Sequence, residues 1–219
     1  MKRIILIFAF ILIATSSVFA WGREAHEVIA RIAENNLKPG VKKKIEAYLG
    51  HSIVYYARWM DEYRHTPEYK FSHPWHSCVV DEKLMYVPQA KGDALYGLDY
   101  ATGNLKDYRH LSDSAVAVNI KFIVHLIGDM HCPAHIKYQG RDASFKVKFG
   151  GDYIKPRVDA RIHDVWDYYA IQSCRIFSSS EYAEELDRLS SKEKKAIVEG
   201  TYVDWLHDSA ERCLLQFDL

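Results

Sequence analysis

The segment His125-Leu-Ile-Gly-Asp129-Met-His131-Cys-Pro-Ala-His135 constrains this chain more than any other. His125 and Asp129 are four residues apart, so on a helix they project from one face, one turn above the other. Ile123, Leu126 and Ile127 flank them, which marks the helix as core-facing. An imidazole and a carboxylate turned inward without partners are costly to desolvate. The fold must therefore carry other polar groups, or a cation, to meet them. His163-Asp-Val-Trp-Asp167 repeats the spacing on a second helical stretch. A histidine with a carboxylate one turn away is a half-site for a divalent metal, because both side chains reach one point. A single pair of this kind is more often a surface hydrogen bond. Two pairs with His135 beside them shift the reading to a metal centre.

The remainder reads as helical scaffold. Ala25, Val28, Ile29, Ile32 and Ala33 recur at helical spacing, and Lys38-Pro39-Gly40 ends that segment. Residues 41–49 and 53–63 read as two further short helices. Residues 67–107 carry much of the Pro, Gly and Tyr, and read as a long irregular connection. Ser112 or Asp113 caps a strong helix through Ala115, Val118, Phe122, Ile123 and Leu126, and Pro133 disturbs its end. Residues 145–154 alternate around Gly150-Gly151, which predicts a small β-hairpin. Helical stretches follow at 165–177, 181–189 and 197–215, with Ser190 and Glu193 at capping-box spacing between the last two. The expectation is an all-α single domain with a small β-hairpin. No Pro/Gly/Ser-rich linker, internal repeat or low-complexity tract divides it.

Lys2 and Arg3 precede an apolar run over residues 4–13, and Val18-Phe19-Ala20 follows through small and polar residues. This is the pattern of a secretory signal peptide over residues 1–20, leaving a mature domain of 21–219 that starts at Trp21. The apolar run is too short to span a bilayer comfortably, so no membrane anchor is expected after its removal. The protein is expected to be exported, either periplasmic or secreted. Without Lys2 and Arg3 the chain keeps 27 basic against 29 acidic residues. That balance argues against a broad basic surface for nucleic acid. Positive charge would have to be concentrated, and bound metal ions are one way to do so. Cys78, Cys132, Cys174 and Cys213 pass through an oxidising route, so one or two disulfides are expected, with three full pairings open. Cys132 lies inside the histidine motif, so a free thiol or a metal contact competes with pairing.

Five separated motifs in one order give the chain its resemblance. They are Trp21 with His26, Trp59-Met-Asp61-Glu-Tyr-Arg64, Trp75-His76, His125/Asp129/His135, and His163/Asp167. Together they cover essentially the whole mature chain, and they resemble the S-one/P-one (S1/P1) nucleases. These are zinc single-strand nucleases and 3′-nucleotidases, distant relatives of bacterial zinc phospholipase C. The resemblance implies three Zn²⁺ ions. One would be held by Asp61, His76, His125 and Asp129, and a second by His135, His163 and Asp167 with a position left open. The third would take the α-amino group and carbonyl oxygen of Trp21 with His26, and share Asp129. Nitrogen and oxygen donors in this mixture suit zinc. Asp61 would also orient the attacking water, and Arg64 would contact the phosphoryl group. The expected substrates are single-stranded RNA and DNA, giving 5′-phosphate products, and 3′-nucleotides.

The remaining histidines, His51, His65, His73, His110, His131 and His207, are expected to be structural or solvent-facing, with His131 the nearest to an outer role behind the ligands. The chain departs from the family where bases are read. His76-Ser77-Cys78-Val79 offers no aromatic and no polar amide or acid, and Ala160-Arg161-Ile162 stands where an Asn precedes the second His motif. Gly150-Gly151-Asp152 replaces a Gly-Gly-Asn element, which leaves Asp152 as the expected substrate contact there. Two alternatives remain open at this level. A zinc phospholipase C shares the cluster, although its last zinc carboxylate is typically Glu where this chain has Asp167. A non-catalytic zinc-binding module is the other. The sequence does not set the oligomeric state.

Overall fold

The structure is a computed structural model that describes residues 22–142, 144–150, 158–173 and 177–218. Trp21, Asp152 and Cys174 lie outside the described residues, as do the signal segment and the tip of the expected hairpin. The fold is mainly helical, as expected. In chain order it places α1 (Arg23–Asn36), α2 (Pro39–Leu49), α3 (Trp59–Tyr63), α4 (Ala94–Lys106) and α5 (Asp113–Asp129). Then come α6 (Ile162–Asp164), a π-helical turn (Val165–Tyr169), α7 (Ala170–Ser173), α8 (Ser179–Leu186), α9 (Ser191–Ile197) and α10 (Tyr202–Cys213).

α5 is the spine. The Ser112 hydroxyl caps it by accepting from the Ala115 N–H at 3.2 Å. One flank, with Phe122, Leu126 and the following Met130, packs into a core with Trp59, Met60, Trp75, Leu98 and Leu206. The other flank, with Val116 and Ile120, meets Ala30, Leu49, Ile53 and Ala57. α5 also buries the polar side chains of Asn119, His125 and Asp129.

Three elements differ from expectation, and each difference bears on the site. The segment 67–107 is not irregular: it holds a 3₁₀ turn (Lys70–His76), the strand β1 (Cys78–Val80) and α4. Asp93 starts α4 by accepting from the Tyr96 N–H at 3.0 Å. Gly97 weakens the helix signal, yet packing requires it. A Cβ there would lie 2.6 Å from Leu126 Cδ1 and 2.8 Å from Trp75 Cε3. Likewise 53–63 is not one helix. A 3₁₀ turn (Ile53–Tyr56), capped by Ser52, precedes α3, and the break frees the Ala57 carbonyl to accept from His125 Nδ1 at 2.9 Å. The third difference is at 197–215, which splits between α9 and α10, with Gly200 at φ +100 in the turn between them. Ser190 and Glu193 do form a capping box, and it opens α9.

Two small sheets complete the fold. β3 (Lys146–Phe149) pairs antiparallel with β4 (Val158–Arg161), Lys146 opposite Arg161. The expected hairpin is therefore present but wider, with its second strand starting beyond residue 154. β1 pairs in parallel with β2 (Ile136–Tyr138), Cys78 opposite Ile136. That ladder ties the segments carrying His76 and His135 together.

The expectation of disulfides is not met among the described residues. Cys78, Cys132 and Cys213 are buried free thiols. Cys78 and Cys213 pack within the apolar core, whereas Cys132 faces Asp167. No described helix is long and apolar enough to cross a membrane.

Candidate metal centre

α5 supplies His125 and Asp129, and α3 supplies Asp61 with Arg64 just past its end. His76 ends the 3₁₀ turn before β1, and His135 ends the turn (Pro133–His135) before β2. α1 carries His26, α6 carries His163, and the π-helical turn carries Asp167. π-helical turns concentrate at functional sites. Here the Asp167 carbonyl also accepts the N–H of Gly22, so the start of α1 is pinned beside the second His/Asp pair. Only glycine fits that position, because a Cβ on residue 22 would collide with the same oxygen.

These side chains meet around Asp129, which is fully buried. Its carboxylate lies 2.9 Å from His76 Nδ1, 3.2 Å from His125 Nε2, and 3.4 Å from both His26 Nε2 and His135 Nδ1. Asp61 sits 3.6 Å from His76 Nδ1 and 3.7 Å from His125 Nε2. On the other side, His163 Nδ1 is 3.1 Å and His135 Nε2 3.7 Å from Asp167. The rings pack as well: His26 stacks on His125 at 4.3 Å, and His135 on His163 at 5.3 Å.

Three tight groups of donors result: His26/His125/Asp129, Asp61/His76/His125 and Cys132/His135/Asp167. Seven expected ligands within the described residues thus converge, and His163, the eighth, joins through Asp167. Trp21, the ninth, is outside the described residues, and so is the expected substrate contact Asp152. Among the set-aside histidines, His131 is exposed and bonds the Ile127 carbonyl at 2.7 Å. It has no role behind the ligands.

The residues fit a divalent cation on the state of their buried atoms. Both Asp61 oxygens, both His26 nitrogens, His76 Nε2, Asp129 Oδ1, His135 Nε2 and Asp167 Oδ2 are buried and make no hydrogen bond among the described residues. Leaving one such atom unsatisfied costs about 1–3 kcal/mol. A chain would not tolerate so many at one place unless something else met them. Backbone carbonyls also fix the rings: Ala57 takes the Nδ1 proton of His125, and the His76 carbonyl takes that of His135. That leaves each Nε2 as a lone-pair donor.

Without a cation the charges balance only in part. Burial opposes charge on His125, but Asp129 and Asp61 hold its pKa up at about 9. Burial likewise opposes charge on His135, and Asp129 still holds it well above the ordinary histidine value. Asp129 is held well below the carboxylate range: burial would raise it, and His125 and His135 outweigh that. For His76 burial wins and brings it to about 4. His26 and His163 are also lowered, mainly by burial.

A cleft of about 570 Å³ opens beside the cluster, lined by Arg64, His76, His135 and His163. Lys91 and Lys137 line it too, with Gln89, Ser77 and Val79. Arg64 Nη1 lies 3.4 Å from Asp61 Oδ1, while its Nε is buried without a hydrogen bond. The two lysines were not foreseen. Lys137 alternates outward on a strand too short to read as one, and Lys91 lies in the stretch taken as irregular.

A family model described as S1/P1 Nuclease matches residues 21–214. The chain is 27% identical over 184 residues to Nuclease S1 of Aspergillus oryzae, covering 76% of this chain and 60% of that protein. It is also 27% identical to Endonuclease 2 of Arabidopsis thaliana over 188 residues (77% and 62%). To Nuclease P1 of Penicillium citrinum it is 28% identical over 170 residues (69% and 58%). The chain thus spans about three fifths of the length of these relatives. The match begins at the Trp21–His26 motif and runs past Asp167, taking in every segment that meets at Asp129: the chain belongs to the S1/P1 nuclease family.

Proposed function

We propose that this protein is an exported zinc-dependent phosphodiesterase that hydrolyses single-stranded RNA, DNA and 3′-nucleotides, leaving 5′-phosphates on the polymer products. The observation that carries this is the adjacency of a buried His/Asp cluster to a cleft lined by Arg64, Lys91 and Lys137. Three Zn²⁺ ions are the expected complement. Asp61, His76, His125 and Asp129 would hold one, and His135, His163 and Asp167 another. The third would take His26, a share of Asp129, and the amine and carbonyl oxygen of Trp21 once residues 1–20 are removed. Gly22 on the Asp167 carbonyl and His26 on Asp129 support that last assignment, since both neighbours of the new terminus are already fixed at the cluster.

When bound, the ions supply Lewis acidity that activates water near neutral pH and offsets charge on phosphoryl oxygens. The protein does the rest. Arg64 reaches the cleft from the rim of the cluster, where its guanidinium can take two phosphoryl oxygens at once. It meets charge that grows towards the transition state, so its effect falls on turnover. Asp61 sits between Arg64 and the histidines with an acceptor oxygen to orient the attacking water and receive its hydrogen bond. Lys91 and Lys137 attract the flanking phosphates of a strand. Their placement concentrates positive charge in a chain that is near neutral overall. Among the described residues no Phe, Tyr or Trp lines the cleft, so bases are held loosely and with little discrimination.

The test uses the chain beginning at Trp21, loaded with zinc and assayed on single-stranded RNA, single-stranded DNA and phosphatidylcholine vesicles. Hydrolysis of both polymers to 5′-phosphate ends, lost on chelation and regained with zinc, is the expected result. Cleavage of the lipid alone would assign the protein to the phospholipase branch, and a zinc-loaded sample inert on all three would leave a binding module.

A further inference from the structure

We infer that Cys132 is a thiolate ligand of the metal held by His135 and Asp167, so that this site takes a sulfur donor and closes around its ion. The inference rests on the reading of the cluster as a metal centre. Cys132 sits three residues before His135, in the turn that follows α5, and is fully buried. Its Sγ lies 3.6 Å from Asp167 Oδ1, and it forms one compact donor group with His135 and Asp167.

A thiol packed in an apolar core would carry no such meaning, and Cys78 and Cys213 are of that kind. Cys132 differs in what surrounds it. His135 Nε2 and Asp167 Oδ2 are buried, make no hydrogen bond, and belong to the same group as the sulfur. A tetrahedral zinc with bonds of about 2.0 Å to N or O and 2.3 Å to S separates an S/O pair by about 3.5 Å and an N/O pair by about 3.3 Å. Cys132 Sγ lies 3.6 Å from Asp167 Oδ1, and His135 Nε2 and His163 Nδ1 lie 3.7 Å and 3.1 Å from its other oxygen, Oδ2, so the one carboxylate faces all three side chains. Cys132, His135 and Asp167 each offer a ligand atom within 4.8 Å of the others, close enough for one ion to draw them together, with His163 beside them on Asp167. On coordination the S–H bond is replaced by an S–metal bond, and the proton leaves to solvent.

The chemical consequence is a fuller protein shell at this ion. Cys132, His135, His163 and Asp167 make four protein donors, the number typical of closed structural zinc sites, whereas catalytic sites keep a position open. The ion between Cys132 and Asp167 chiefly fixes the second helical pair and contributes charge, lowered by one through the thiolate.

Cobalt reports this directly, because a thiolate on Co²⁺ gives an intense near-ultraviolet charge-transfer absorption that N and O donors do not. The chain starting at Trp21 is stripped of metal, reloaded with Co²⁺, and its metal content measured. The near-ultraviolet band is expected in the unmodified protein and in Cys78→Ser, and is expected to vanish in Cys132→Ser while visible d–d bands persist. Should Cys132→Ser fail to fold, X-ray absorption on the unmodified zinc protein serves instead, with a sulfur shell at about 2.3 Å expected. Bound metal without a charge-transfer band, or an absorption spectrum fitted by N and O alone, would overturn the cysteine ligand and leave the metal centre intact. A chain that binds no Co²⁺ or Zn²⁺ at all would overturn both.

Discussion

Removing the guanidinium of Arg64 should separate chemistry from stability. Arg64 follows α3 directly, one turn after Asp61, and its side chain is 15% exposed at the edge of the cleft. Its one charged contact among the described residues, Nη1 to Asp61 Oδ1 at 3.4 Å, is long, and Asp61 as a metal ligand would keep a cation as partner when the guanidinium is lost. Arg64→Ala should accordingly move the melting temperature little. Its effect on turnover should be larger. A unit charge about 4 Å from the guanidinium in a medium of effective dielectric 20 interacts by about 4 kcal/mol. Part of that is present in the ground state, because the bound phosphodiester is already an anion. The share realised only in the transition state is of the size measured for an oxyanion donor, about 2.7–4 kcal/mol, or 10²–10³ in kcat. Arg64→Lys keeps the charge but loses the fork, so it should recover about one order of magnitude of the loss. The assay is steady-state cleavage of a single-stranded oligonucleotide, with zinc content measured on the same samples. A kcat within about threefold of the parent at raised KM would assign Arg64 to ground-state binding. A fall in kcat accompanied by loss of zinc would mean that Arg64 instead positions Asp61.

The two cleft lysines act at longer range. Lys91→Gln with Lys137→Gln should raise KM for polymers, spare a 3′-nucleotide, and flatten the slope of log affinity against log salt by about 1.4, which an unchanged slope would contradict. Homopolymers of different bases should be cut at rates within about tenfold of one another, because no Phe, Tyr or Trp among the described residues lines the cleft; a strong preference for one base would place recognition outside it. Metal loading near pH 7 should release at least three protons, since His125 is held at about 9, His135 well above its ordinary value, and the Cys132 thiol is pushed up by burial and gives up its proton on coordination. Calorimetric heats of zinc binding should therefore vary with buffer ionisation enthalpy. In the metal-free protein the raised His125 adds stability that is complete below about pH 6.5 and lost as pH rises through about 9. A single Gly added before Trp21 should leave the fold intact, lower zinc content from about three ions to two and remove most activity, because an amide replaces the amine. Equal zinc content in the two forms would remove Trp21 from the ligand set.

What the sequence disclosed, and what it hid, follows from the distance over which each feature is specified. His125/Asp129 and His163/Asp167 are legible because one helical turn sets their geometry, and burial of polar groups demands partners whatever the rest of the chain does. α4 was hidden because its glycines weaken local propensity, while the reason for Gly97 lies in Trp75 and Leu126, which are remote in sequence. The parallel pairing of β1 with β2 was hidden for a related reason: three residues carry no pattern, and the pairing is set by the segments that α5 separates. That ladder nevertheless aligns His76 with His135, so the least legible element positions two of the most legible residues. The same reasoning explains why chemistry at the metals could be read while the cleft could not. Ligands must reach a common point, so their types and spacings are restricted. Lys91 and Lys137 need only face the same solvent-filled space, which a lysine achieves from many backbone positions. Cys132 lies between these cases. Its place in the histidine motif marks it as a thiol with a choice of partners, and the packing of Asp167 against its sulfur is what sets it apart from Cys78 and Cys213.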